Sequence, residues 1–127
     1  MTFLTLLLRI KIAGTLFTVG LPLLLLPIKT LDRFSGLRSE HGTLYRLYGI
    51  AILALLVGYS GGVFQAQAGQ FPSGVVHMGL VSNAGATVIL PLSNVPGLVK
   101  SSAVFFGLIS LGLLAALLYP EAAMQKI

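Results

Sequence analysis

Residues 47–64, LYGIAILALLVGYSGGVF, contain no charged side chain. An α-helix rises about 1.5 Å per residue, so about 20 apolar residues cross a hydrocarbon core ~30 Å thick. Extended to 46–65, this stretch predicts a membrane-spanning helix. Residues 73–92, SGVVHMGLVSNAGATVILPL, are also uncharged, although they carry His77, Ser82, Asn83 and Thr87. Residues 101–119 make a third such run, which stops at Pro120, a residue that cannot continue a helix interior.

The N-terminal run is harder to read. Residues 12–28, IAGTLFTVGLPLLLLPI, are uncharged but number only 17, the short end of the spanning range. Residues 3–8 are apolar too, with Arg9 and Lys11 interrupting. A span over 3–28 would carry both cations in its first third. They lie about 160° apart around a helix, so one face cannot bury both, and snorkelling to the near headgroups is expected. Pro22 and Pro27 each remove a backbone donor, so this span is expected to be bent, with a re-entrant or in-plane helix as the alternative. A cleavable leader is not expected: its cations should precede the apolar core, and no small-residue cleavage site follows Leu26. The predicted fold is an all-α membrane bundle of four helices, approximately 3–28, 46–65, 73–92 and 101–119, in a single domain covering residues 1–127.

Composition agrees. Of 127 residues, 56% are hydrophobic and 9% charged, where soluble proteins average near 25% charged. The mean hydropathy of +0.97 is too high for a soluble globule of this size. The net charge of +5 raises nucleic acid as a partner, but the positions of the cations exclude that reading. Lys29, Arg33, Arg38 and Arg46 fall in one connection, as the positive-inside tendency requires of a short cytoplasmic loop. With Lys100 they make five cations on one side, against Arg9, Lys11 and Lys126 on the other. The first loop, 29–46, is therefore expected in the cytoplasm, with a bacterial inner membrane as the setting. Without Cys there are no disulfides and no thiolate chemistry.

Within hydrocarbon, small residues let helix backbones approach closely. Ala54, Gly58 and Gly62 recur at four-residue steps in the second span. Ser82 and Gly85 belong to the small-residue run SNAGAT of the third, and Ala103, Gly107, Gly112 and Ala116 make two small-residue pairs in the fourth. These are the expected helix-packing positions. Polar residues at membrane depth are candidate sites by default, which singles out His77, Asn83 and Thr87. His77 and Asn83 are six residues apart, about 120° around a helix, and so do not form one site alone. Arg33, Arg38, Tyr45, Arg46 and Tyr48 are expected to form an interfacial anchor or a docking loop.

Acids are scarce. Asp32 and Glu40 lie in the first loop and Glu121 follows the last span, which leaves no intramembrane acid for proton coupling and no carboxylate pair for acid–base catalysis. His77 has no second ligand at its depth, since His41 sits in the charged loop. No catalytic, metal or cofactor-binding residue is assigned. The expected role is a non-catalytic accessory subunit of a larger membrane complex, with other integral membrane subunits and lipids as partners. A lipid, or a pigment, haem or quinone carried by a partner, would lie at its surface. Two alternatives stand beside it: a homo-oligomeric channel or carrier lined by Asn83, Thr87, Ser82 and His77, and a small quinone- or lipid-handling enzyme using His77.

Overall fold

The computed structural model describes residues 1–36 and 42–127. Among these residues four helices are long and apolar enough to cross a membrane: Phe3–Leu25, Thr43–Gln67, Ser73–Leu92 and Gly97–Leu118. The first is composite, made of α1 (Phe3–Thr15), a π-helical turn over Leu16–Gly20, and α2 (Leu21–Leu25). A short α3 (Ile28–Ser35) follows, then the long α4 (Thr43–Gln67), α5 (Ser73–Leu92), α6 (Gly97–Leu118) and a terminal turn, α7 (Pro120–Ala123).

Local chemistry sets the ends of the first helix. The Thr2 hydroxyl accepts from the Thr5 amide at 3.1 Å, and the Thr5 hydroxyl accepts from the Thr2 amide at 2.9 Å. Two otherwise orphaned donors are thereby satisfied. Pro22 lacks an N–H and its ring crowds the carbonyl four residues back. The widened π turn just before it relieves that crowding, and the helix continues without a break. It stops three residues short of the expected Ile28, because Leu26 precedes Pro27 and adopts the extended backbone (ψ 149°) that proline imposes on its predecessor. The second span gains residues at both ends, and the fourth starts at Gly97 rather than 101, directly after Pro96. Gly36 closes α3 in the left-handed region (φ 72°), a conformation glycine adopts without steric cost.

The α2 terminus leaves carbonyls that no helical donor reaches. Arg46 of α4 satisfies two of them: Nη1 donates to Leu23 O at 2.7 Å and Nη2 to Leu26 O at 2.9 Å. Its cation also lies at the negative end of that helix.

The chain termini meet at one end of the bundle, where Thr2 pairs with Lys126 and the Ile127 amide donates to Met1 O at 2.8 Å. That half is packed solid around Leu4, Leu8, Tyr59, Val76, Leu113 and Ala116, all at most 1% exposed. A Cβ on Gly79 would lie 2.7 Å from Leu113, one on Gly62 2.8 Å from Val75, and one on Gly112 2.8 Å from Leu7. Glycine at these three positions is what lets the helices close on one another.

Candidate functional site

The inward stripe of α1 runs Leu4, Leu8, Lys11, Thr15, with steps of four, three and four that keep one helical face. All four are buried, Lys11 and Thr15 at 3% exposure each. Arg9, on the opposite face, is exposed. The two cations therefore part company, and Lys11 does not snorkel. It sits eight residues from Phe3, about 12 Å along the helix.

Among the described residues Lys11 makes no ion pair and no hydrogen bond. Aromatic rings surround it instead: Nζ lies 4.5 Å from the Phe106 centroid, 5.6 Å from Phe105 and 6.0 Å from Tyr59. Each such contact contributes roughly 0.5–2 kcal/mol. Three together are commensurate with the roughly 2.5–3.5 kcal/mol that insertion scales assign to a mid-membrane lysine. The cage thus offsets the cost of enclosing the cation with no acid beside it among the described residues.

A cleft of about 400 Å³ opens from this point between α4 and α5. Lys11 and Thr15 form its floor, Tyr59 one wall, and Ser82, Gly85 and Ala86 the facing wall. Toward the chain termini, α4 and α5 are pinned together by Gly62 against Val75 and by Gly79 against Tyr59. Toward the first loop they diverge, and a Cβ on Gly85 would meet nothing within 4 Å. Val81, 77% exposed, and Ile89, 63% exposed, stand at the mouth, so the cleft opens sideways onto the outer face of the bundle.

Asn83 supports the cage from behind. It is 1% exposed; its Nδ2 donates to Tyr59 Oη at 3.0 Å and to Gly79 O at 2.7 Å, while its Oδ1 accepts nothing among the described residues. Thr87 donates to Asn83 O at 2.7 Å and is half-buried. The Thr15 hydroxyl is likewise buried without a partner among the described residues.

The remaining expected positions are dispersed. His77 is exposed on α5, its Nδ1 2.7 Å from Ser73 O, and it does not share a path with Asn83. Gly58 meets Met78, Gly107 meets Thr87, and Ala103 and Ala116 are buried. Ala54 is exposed instead of packed, because four-residue steps drift about 40° each and place it about 80° from Gly62. Ser82 and Gly85 line the cleft rather than a tight helix contact. In the first loop, Tyr45 is buried: its hydroxyl donates to Asp32 Oδ1 at 2.6 Å and lies 2.8 Å from Ser35 Oγ. Arg46 is spent on the α2 carbonyls; Arg33 and Tyr48 are exposed. Arg38 lies outside the described residues.

The residues that sequence reasoning missed are Lys11 and Thr15 as an inward pair. Their signal was the Leu4–Leu8–Lys11–Thr15 spacing, which continues an apolar stripe directly into a cation. Comparison of the chain with family models, curated proteins and solved structures finds no match.

Proposed function

We propose that the chain is a multi-pass membrane protein that binds, within the bilayer, a small molecule with an apolar body and an electron-rich head. The observation that carries this reading is Lys11: a buried cation, caged by three rings, on the floor of a cleft that opens sideways. A cleft of about 400 Å³ is within the size range of small-molecule sites. Its walls suit hydrocarbon, and its polar groups converge at one point. Among the described residues the cleft lining holds no acid to complement the amine, which favours binding over catalysis. Orientation follows the cations. With Lys11 enclosed, five flanking cations stand at the first-loop end against Arg9 and Lys126 at the other, which puts the first loop in the cytoplasm.

The test is native mass spectrometry of the protein extracted in mild detergent, with the Lys11→Met variant alongside. A small-molecule mass carried by the natural protein and lost from the variant is the expected result. A wild-type protein that carries no small molecule, or one whose adducts persist in the variant, contradicts it.

One observation favours a second reading, the accessory subunit. The same opening that admits a small molecule would admit a carboxylate from a helix of another subunit, and Lys11 has no counter-charge of its own among the described residues. Foreign chains co-eluting in fixed proportion, and released by Lys11→Met, would select that reading.

A further inference from the structure

Resting on the binding role proposed above, we infer that the ligand is a long-chain monocarboxylic acid, seated with its carboxylate on Lys11 Nζ. Its chain leaves the bundle between α4 and α5.

Three features of the cleft select this class. Lys11 and Thr15 are one helical turn apart, both 3% exposed and both part of its floor. Neither has a hydrogen-bond partner among the described residues. The Thr15 hydroxyl oxygen is itself shut away from the cleft, which leaves the Lys11 ammonium as the donor that a single carboxylate meets. Charge is the second feature. The aromatic rings hold the cation but do not neutralise it, and a neutral carbonyl or alcohol head would leave it so, whereas a carboxylate makes the site electroneutral. The described acids do not compete: Asp32 is engaged by Tyr45, and Glu121 is exposed beyond the last span. The third feature is the lining outside that floor. It is mostly apolar, with the hydroxyls of Tyr48, Tyr59 and Ser82 but no second charged side chain among the described lining residues, so a zwitterionic phospholipid headgroup would bury a charge without a partner. A single chain ending in a carboxylate demands polar contacts only where they exist.

Arrival from the bilayer is chemically balanced. The acid reaches the mouth uncharged as the protonated carboxyl. On seating beside an unprotonated amine its O–H bond breaks and the proton forms an N–H bond on Nζ. The carboxylate and ammonium that result carry no net charge. Beside an amine that is already protonated, the proton leaves to water and the same pair results.

The experiment titrates delipidated protein with carboxyl-labelled oleic acid, methyl oleate and a short-chain ubiquinone analogue, following the label by NMR and binding by native mass. Oleate is expected to bind one to one, and methyl oleate at least tenfold more weakly. Lys11→Met should weaken oleate at least tenfold, whereas Thr15→Val, which removes a hydroxyl shut away from the cleft, should leave binding unchanged. Arg9→Met, which removes an exposed cation, should leave binding unchanged. Thermal unfolding of each variant shows that the bundle is intact. Equal binding of oleate and its methyl ester, or oleate binding indifferent to Lys11→Met, overturns the inference. A ubiquinone analogue that binds through Lys11 where oleate does not overturns the ligand class while leaving the binding role standing. If none of the three binds and the native protein carries no small molecule, both fall.

Discussion

Among the described residues two cations, Lys11 and Arg46, lie against the interior of the bundle, and each is accommodated by a different chemistry. Arg46 donates to two carbonyls at the end of α2. Its planar fork reaches both at once, which the single ammonium of a lysine does not. Arg46→Ala should therefore destabilise the bundle by about 1–3 kcal/mol, read as a lower midpoint in detergent unfolding, with Arg46→Lys recovering only part of the loss. Lys11 has aromatic faces and no acceptor among the described residues. Lys11→Met, which keeps the volume and removes the charge, relieves the burial cost and forfeits the ring contacts together, so ligand-free protein should stay within about 1 kcal/mol in the same assay. A loss of more than about 3 kcal/mol would mean that the cation is not isolated. The angular separation of Arg9 and Lys11 was legible in the sequence. That separation alone does not say which of them turns inward; the register that continues Leu4 and Leu8 into Lys11 does. The Tyr45 contact is not legible in the sequence, because only α3 folding back brings Asp32 to its hydroxyl.

At the level of elements, small residues serve two purposes that composition does not separate. Gly79 is closed upon by Leu113 and Tyr59, whereas Gly85 faces open space. Gly79→Ala should cost about 1–3 kcal/mol through overpacking. Gly85→Ala should be neutral or stabilising by up to about 1 kcal/mol, as expected of alanine replacing glycine within a helix. Comparing the two unfolding midpoints checks the contrast, and equal losses would place α5 in a different rotation. Helix existence was legible throughout, because charge-free runs of spanning length have few other readings. Helix ends were less so, since Pro27 and Pro96 act on their neighbours through backbone geometry. The bend foreseen from Pro22 takes the form of a π turn, and the helix remains one element.

On the scale of the whole molecule, the bundle is packed at the end where the termini meet and open toward the first loop. Four spans require the α4–α5 turn and the C-terminus on one side and the α5–α6 turn on the other. The chain has no Cys, so single cysteines report cleanly on this arrangement. Gln70→Cys and Gln125→Cys should react with a membrane-impermeant thiol reagent applied from outside, and Asn94→Cys only after the membrane is permeabilised. Labelling of positions 70 and 94 from the same side would contradict four spans. The four helices of spanning length were legible from their charge-free runs. The cleft was not, because it depends on where α4 and α5 part, which follows from contacts among residues distant in sequence.

The most direct test of the account is the environment of the Lys11 side chain in a lipid nanodisc, observed by NMR with labelled lysine. Enclosure by Phe106, Phe105 and Tyr59 predicts ring-current-shifted Lys11 side-chain resonances, cross-relaxation to the Phe106 ring, and loss of the shift in Phe106→Leu. Resonances matching the surface lysines, with cross-relaxation to water and headgroups, would mean that Lys11 snorkels and that the cleft has no cationic floor.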